Sequence, residues 1–183
     1  KRPVERVTWF DCIAFCNELT AKTAELGKAQ CVYYLERELS TVYTAEHAVR
    51  KKVPFAKWNA KGFRLPTEAE WEWAAQGGTN DKWAGTNTES ELLNYAWYDA
   101  NSGGKTHQVK LKRPNGYGLY DLSGNVYEWC WDKFSSRLPH PMPPDYGGTA
   151  SGRYYVIRGG CCFHDANRTA RANRTKAAPP EEI

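Results

Sequence analysis

Apolar positions spaced three and four residues apart predict a helix near the start of the chain. It would run from Trp9 to Lys22, behind a capping box of Thr8 and Asp11 in which Asp replaces the usual Glu or Gln. The apolar positions predict a buried face. That face would hold Cys12, Ile13, Cys16 and Leu19.

A second helix is predicted after Pro66. Thr67 is followed three residues later by Glu70, so that each side chain can satisfy a backbone N–H of the other. The buried side of this helix would hold Trp71, Ala74 and Ala75, and Gly77-Gly78 would end it.

Short apolar runs predict strands at Cys31–Leu35 and Tyr154–Arg158. The charged stretch up to Lys57 is typical of an irregular insertion, and residues 79–118 are typical of loops with aromatic anchors at Trp83, Tyr95, Trp97 and Tyr98. Residues 161–178 have neither helical nor strand periodicity. Because repeats and linkers are absent from the sequence, we expect a single domain over residues 1–183.

The composition narrows the classes of function. Of 183 residues, 14% are aromatic, including 8 Trp and 11 Tyr, which favours a loop-rich fold held by aromatic packing. The net charge of +4 comes without a stripe of Lys and Arg, so we expect no nucleic-acid partner. No apolar stretch is long enough to span a membrane. The chain opens at Lys1 without an initiator Met, so an export signal or lipid anchor would precede it, and we expect a cell-surface or secreted protein.

The six cysteines are expected to be mostly free thiols. Two lie four residues apart on the first predicted helix, where buried thiols are ordinary, and two are adjacent, where pairing would be strained. The absence of a CxxC motif makes a zinc site improbable. The cysteines are Cys12, Cys16, Cys31, Cys130, Cys161 and Cys162.

Four sequence blocks together resemble the formylglycine-generating-enzyme (sulfatase-modifying factor) family. They lie within residues 3–17, 62–72, 115–129 and 156–160, and the middle two carry GFRLPTEAEWE and NGYGLYDLSGNVYEW. The resemblance implies an α+β, C-type-lectin-like fold with two helices, a small antiparallel sheet and long ordered loops. The family has a further portion before the first block and a closing strand after the Arg-rich segment, so we expect the chain to be incomplete at both ends.

The loop from Asp121 to Glu128 offers two carboxylates and turn carbonyls, which are hard oxygen donors suited to calcium. The resemblance implies a structural calcium ion held by the Asp121 and Glu128 side chains and by the Gly124 and Val126 carbonyls. The alternative is that the two carboxylates accept hydrogen bonds from loop amides and hold no ion.

Oxidases of the family use two cysteines after the Gly-Gly pair, and in this chain the matched positions are His164 and Thr169. Cys161 and Cys162 precede both positions, and neighbouring side chains on an extended segment point to opposite sides. We therefore expect no enzymatic activity. The alternative is an oxidase or related enzyme of the family.

Residues 161–176 are more typical of a variable ligand-binding segment. The candidate ligand-binding residues are Cys161, Cys162, Phe163, His164, Asp165, Asn167, Arg168 and Thr169. The segment resembles the variable proteins of diversity-generating retroelements, in which adenine-directed mutagenesis of Asn codons can produce all of these residue types. The resemblance implies a receptor-like protein that binds a ligand, which we expect to be a protein. The alternative is a plain buried loop. Arg171 and Arg174 are expected to pair with acidic groups inside the fold.

Overall fold

Five α-helices and five β-strands are present in the computed structural model, which describes residues 1–138, 149, 151–181 and 183. The helices are α1 (Trp9–Lys22), α2 (Ala45–Val49), α3 (Glu68–Gln76), α4 (Glu89–Leu92) and α5 (Asp99–Ser102). The strands are β1 (Tyr33–Tyr34), β2 (Phe55–Ala56), β3 (Glu128–Lys133), β4 (Tyr155–Arg158) and β5 (Thr175–Ala177).

Both predicted helices begin at the predicted threonine caps. Thr8 Oγ1 accepts a hydrogen bond from Asp11 N at 3.1 Å, and the Asp11 carboxylate accepts one from Thr8 N at 3.0 Å. Thr67 and Glu70 form the same reciprocal pair at the start of α3. Both capping predictions are confirmed.

The buried face of α1 differs from the predicted one. Leu19 is 37% exposed, whereas Ile13, Asn17 and Thr20 are buried. Asn17 accepts hydrogen bonds from Val32 N and Tyr33 N, and its amide donates to the Tyr33 carbonyl. A polar residue that bonds neighbouring backbone therefore occupies the inward face, and a pattern built on apolar residues alone could not predict it.

Two compact units make up the chain, one of Lys1–Glu5, Pro66–Ala178 and Ile183, the other of Arg6–Leu65 and Pro179–Glu182. The second unit contains α1, α2 and the antiparallel pair β1–β2, in which Tyr33 lies opposite Ala56. The stretch expected to be irregular up to Lys57 thus contains one helical turn and a strand. The single-domain organisation stays a prediction.

The three-stranded antiparallel sheet of the larger unit has the order β3-β4-β5. Glu128 pairs with Arg158 on β4, and the register shifts between Trp129 and Lys133. Strand β5 lies within residues 161–178, which show no strand periodicity in the sequence. Its three residues are too few to show an alternating pattern, so only pairing with β4 identifies them as a strand.

Two hydrophobic clusters pack the larger unit. The first consists of Trp71, Ala75, Ala84, Leu122, Cys130 and Val156. The second consists of Trp83, Leu92, Ala96, Tyr98, Ala166 and Ala170. The second cluster confirms Trp83 and Tyr98 as aromatic anchors, and it also contains two alanines of the segment that follows β4.

Charged residues inside this unit form a connected network. Arg158 on β4 pairs with Glu68 at 2.7 Å and with Glu72, both on α3. Arg171 pairs with Glu72, and Arg174 pairs with Glu68 at 2.6 Å. The prediction that Arg171 and Arg174 meet acidic groups within the fold is confirmed.

All six cysteines are free thiols, as expected. In the part of the chain that the structure describes, no helix combines the length and apolar character needed to cross a membrane.

Candidate ligand-binding surface

The chain turns sharply after β4 because of two glycines. Gly160 has φ of +72°, and a Cβ on this residue would lie 2.8 Å from the Arg168 carbonyl oxygen. The left-handed conformation and the close approach both favour glycine here. The turn places Gly160 against Arg168 and Thr169, so residues 161–169, the recognition segment, return to their starting point.

Side chains of the recognition segment divide into an exposed and a buried set. Phe163, Asp165, Asn167 and Arg168 are exposed, while Cys161 and His164 are half-buried. These six residues form the recognition surface. The buried set is Cys162, Ala166 and Thr169.

Hydrogen bonds from the core hold the backbone beneath the recognition surface. Trp83 Nε1 donates to the Ala166 carbonyl at 2.6 Å, and Thr169 Oγ1 donates to the same oxygen at 2.9 Å. Ser102 Oγ donates to the Cys162 carbonyl at 2.6 Å, and Cys162 N donates to the Asn125 carbonyl at 3.0 Å. Buried partners therefore hold the backbone of the segment at Cys162 and Ala166.

Cys162 and Thr169 do not contribute side chains to the recognition surface. Their exposed fractions are 1% and 0%, so these two of the eight candidate ligand-binding residues are corrected to buried supports. The different burial of Cys161 and Cys162 agrees with the expectation that adjacent thiols point to opposite sides.

Two contacts with residues outside the segment extend the recognition surface. Lys82 Nζ donates to Asn167 Oδ1 at 3.0 Å, and the Tyr127 ring meets the His164 ring edge-on at a centroid distance of 5.2 Å. Arg168 N donates to Asp165 Oδ1 at 2.9 Å, which closes the turn between them. The sequence carried no periodic signal for Lys82 or Tyr127, because both come from distant parts of the chain.

Cys161 and His164 lie within hydrogen-bonding distance, with Sγ and Nδ1 3.0 Å apart. Burial raises the pKa of the Cys161 thiol. Burial and the nearby Arg168 lower the pKa of His164, against smaller opposite effects of Asp165 and Asp99. No partner of His164 is identifiable in the sequence, although the spacing of three residues between Cys161 and His164 is a usable signal.

The loop at residues 121–128, the acidic loop, lies beside this segment in the same unit. Asp121 has φ of +59°, and its Oδ2 accepts a hydrogen bond from Lys110 N at 2.8 Å. Glu128 Oε2 accepts one from Trp71 Nε1 at 2.5 Å. Both carboxylates line one cavity of about 320 Å³, together with Asn125 and Val126.

Gly124 fixes the shape of the acidic loop. Its φ is +78°, and a Cβ there would lie 2.1 Å from the Trp97 carbonyl oxygen. Asn125 N donates to the same carbonyl at 2.7 Å. Only glycine allows the loop to approach the Trp97 backbone this closely.

Comparison with known proteins accounts for this arrangement. The family model for the sulfatase-modifying factor enzyme 1-like domain matches residues 1–182. The chain belongs to this family. The α+β, C-type-lectin-like fold that the sequence blocks predict is thereby confirmed.

Proteins similar to this sulfatase-modifying-factor-like chain include a variable protein, an enzyme and a chaperone. The solved structure of Treponema denticola variable protein 1 superposes with a TM-score of 0.85 at 46% identity, covering 100% of this chain and 68% of that one. The formylglycine-generating enzyme of Streptomyces coelicolor is 36% identical over 152 residues, covering 68% of this chain and 44% of the enzyme. The chaperone protein LppX of Paenibacillus barcinonensis is 35% identical over 171 residues, covering 79% of this chain and 55% of LppX. The chain thus spans about half the length of these two curated relatives.

Neither position matched to the family's cysteine pair offers a thiol in this sulfatase-modifying-factor-like chain. His164 is half-buried, and Thr169 is fully buried with its hydroxyl bonded to the Ala166 carbonyl. The matched positions therefore cannot supply two thiols that meet on one substrate.

The calcium ion that the family resemblance implies at the acidic loop stays a prediction. Among the described residues, no group of three or more His, Cys, Asp or Glu side chains is placed to hold a metal, so a site here would rely on two carboxylates and loop carbonyls. That donor set suits calcium. Burial raises the pKa of Glu128 to about 7, and the Asp121 carboxylate adds to the rise against the Trp71 hydrogen bond. A cation between the two carboxylates would offset this cost of burying negative charge.

Proposed function

We propose that this chain is a non-catalytic, receptor-like protein that binds a protein ligand through a diversified site on a C-type-lectin-like scaffold. The observation that carries the proposal is the division of the recognition segment. Its exposed side chains lie on a backbone that is held by buried partners such as Trp83, Ser102 and Asn125. Side chains can then be exchanged without changing the path of the chain.

The energetics favour such a division. Substitutions at exposed positions away from caps and networks usually change the free energy of unfolding by about 0.5 kcal/mol or less. A backbone fixed in advance also loses little conformational entropy when a ligand binds. The likeness to Treponema denticola variable protein 1 over the whole chain supports the same interpretation.

The exposed side chains of the recognition surface support a protein as the ligand. Phe163 is 69% exposed, as an anchor residue is before it enters a pocket of a partner. Cavities of about 320, 410 and 480 Å³ in the larger unit are lined by other residues. The recognition surface thus offers an exposed aromatic side chain and charged side chains to a partner.

The coding sequence tests diversification directly. We expect a near-identical template copy near the gene, with a reverse transcriptase gene beside it. Differences between the two copies should fall at template adenines and affect Cys161, Phe163, His164, Asp165, Asn167 and Arg168. Codons for the buried Cys162, Ala166 and Thr169 serve as an internal control. Differences spread evenly over both groups, or the lack of any template, would overturn the proposal.

A family oxidase is the second candidate, and the identity to the Streptomyces coelicolor formylglycine-generating enzyme favours it. Oxygen consumption with a cysteine-containing peptide and copper is the deciding assay. We expect no turnover above that of a Cys161→Ser, Cys162→Ser double variant. Turnover that these substitutions abolish would replace the binding proposal with an enzymatic one.

We propose that the recognition surface is displayed outside the cell, where a protein ligand would be met. The full-length protein in intact cells should then be cut by an added protease and labelled by a membrane-impermeant amine reagent. Protection until the cells are lysed would contradict this location.

We propose that Asp121, Glu128 and the Gly124 and Val126 carbonyls hold a structural calcium ion. Bound calcium would stabilise the folded state by mass action. After exhaustive chelation, we expect added calcium to raise the melting temperature of the native chain and to release or absorb heat in a calorimetric titration.

Carboxylate-to-amide variants make this calcium test specific. Asp121→Asn and Glu128→Gln should abolish the melting shift, while Asp165→Asn, outside the acidic loop, should keep it. No heat and no shift for the native chain would leave the two carboxylates as acceptors for loop donors such as Lys110 N and Trp71 Nε1.

A further inference from the structure

We propose that Cys161 and His164 form a nucleophile–base pair, which allows the recognition surface to capture a disulfide-containing ligand covalently. That a ligand binds at this surface rests on the proposed function, whereas the reactivity of the pair does not. Reversible binding would be followed by a disulfide bond between the ligand and Cys161.

The geometry meets the requirements for an activated thiol. Sγ of Cys161 and Nδ1 of His164 are 3.0 Å apart, within reach for direct proton transfer. Cys161 is half-buried, so part of the residue remains accessible to a ligand. A thiol beside an imidazole base is the arrangement by which proteins generate a thiolate during attack.

His164 is held in place by two hydrogen bonds of its backbone and by one contact of its ring. His164 N donates to the Cys161 carbonyl at 3.0 Å, and the His164 carbonyl accepts a hydrogen bond from Asp99 N at 3.0 Å. The Tyr127 ring packs against the imidazole edge-on. Both ends of the residue are therefore fixed, as a positioned base requires.

The charges around the pair favour a neutral resting state. Arg168 and burial lower the pKa of His164, while Asp165 and Asp99 raise it to a smaller extent. Burial raises the pKa of Cys161, and a hydrogen bond from the Phe163 backbone opposes this. Both shifts oppose a resting thiolate–imidazolium pair, so the proton stays on the Cys161 sulfur until a ligand arrives.

The reaction is a thiol–disulfide exchange and needs no external oxidant. His164 Nδ1 takes the Cys161 proton as Sγ attacks one sulfur of the ligand disulfide. A new sulfur–sulfur bond forms to Cys161, the ligand bond breaks, and the leaving thiolate takes the proton from the imidazolium. One disulfide is consumed and one is made, so the electrons balance.

The mixed disulfide is expected to persist. Cys162, the nearest thiol in sequence, is 1% exposed and points to the other side of the chain. It cannot easily attack the new bond and release the ligand. The pair therefore favours capture over turnover.

Dithiodipyridine, a small uncharged aromatic disulfide, tests the pair without any knowledge of the natural ligand. We expect one thiol of the native chain to react rapidly at pH 7, with mass mapping placing the adduct on Cys161. Cys161→Ser should remove this phase. Cys16→Ser should not, because burial raises the pKa of that half-buried thiol on α1 to about 11.

The His164→Gln variant separates base catalysis from simple exposure. It should slow modification of Cys161 at pH 7 at least about tenfold. Its rate should then rise about tenfold per pH unit as hydroxide replaces the base, whereas the native rate should change little above neutral pH. An unchanged melting temperature would show that the variant is folded.

Equal rates for the native chain and His164→Gln, or rapid labelling at another cysteine, would overturn the proposal. If the Cys161→Ser variant still binds a protein ligand but no longer exchanges disulfides, the proposed binding function is retained. Conversely, exchange without any ligand binding would show that only the recognition function is wrong.

Discussion

Individual buried carboxylates carry some of the strongest electrostatic effects in this chain, and Asp132 on β3 is the clearest. Its side chain is 1% exposed and accepts a hydrogen bond from Glu68 N at 2.7 Å through Oδ2. Oδ1 has no hydrogen-bond partner among the described residues. Burial raises the pKa of Asp132 to about 6, and the Glu68 carboxylate adds to the rise. The residue thus supports the first turn of α3 at an electrostatic cost.

Asp132→Asn should remove a pH dependence of stability. Because the folded state raises this pKa, it holds the proton more tightly than the unfolded chain does. The resulting stabilisation is complete below about pH 4 and is lost as the pH rises through about 6. Relative to the native chain, the variant should therefore gain up to about 3 kcal/mol between pH 4 and pH 7. Urea unfolding across this range measures the difference, and parallel pH profiles would show that Asp132 does not titrate there.

At the scale of elements, the loops are positioned as firmly as the helices. The acidic loop bonds to the Trp97 backbone through Asn125 N, and the Asn125 carbonyl in turn holds Cys162 N. The shape of the recognition segment therefore depends on the loop before β3. Gly124 is the residue that permits the contact with Trp97.

Gly124→Ala and Gly118→Ala form a matched pair that tests this dependence. Both glycines have positive φ, but a Cβ on Gly118 meets nothing within 4 Å, whereas one on Gly124 would lie 2.1 Å from the Trp97 oxygen. Gly118→Ala should cost about 1–2 kcal/mol from backbone strain alone. Gly124→Ala should cost clearly more, because the loop must move. Chemical denaturation of both variants gives the comparison, and equal costs would mean that the close approach carries no energetic weight.

At the scale of the whole larger unit, the Arg–Glu network joins α3, β4 and the chain that follows the recognition segment. Glu68 bonds both Arg158 and Arg174, and Glu72 bonds both Arg158 and Arg171. The network includes Arg171 and Arg174, which follow the segment, and no residue of the recognition surface. The side chains of the network and those of the recognition surface are therefore separate sets.

Glu68→Gln and Asp165→Asn test this separation with the same chemical change at a buried and an exposed site. Loss of the Glu68 charge removes the carboxylate that Arg158 and Arg174 share inside the network and should cost about 3–5 kcal/mol. Asp165→Asn keeps an oxygen for Arg168 N and should change the free energy of unfolding by about 0.5 kcal/mol or less. Thermal unfolding of the two variants is the measurement. A comparable loss in both would show that the recognition surface also supports the fold.

Local signals explain what could be predicted. The threonine caps, the Gly-Gly ends and the blocks around Glu68 and Gly124 depend on neighbours within a few residues, so the helices, the family and the acidic loop followed from them. The pairing of Arg171 and Arg174 with acidic groups was also expected. The exposure of Leu19 and the strand β5 could not be predicted, because the backbone that Asn17 bonds at Val32 and Tyr33 and the partner strand β4 lie outside any local window.

The sequence by itself determined the α+β, C-type-lectin-like scaffold, the lack of thiols at His164 and Thr169, and the position along the chain of the segment that we propose to be variable. Only the tertiary structure decided which residues of that segment face outward, that Cys162 and Thr169 are buried, and that Cys161 lies 3.0 Å from His164. The physical reason is that exposure in a segment without periodicity is set by distant partners. Trp83, Ser102 and Asn125 fix its backbone, and their contacts exist only once the chain has folded.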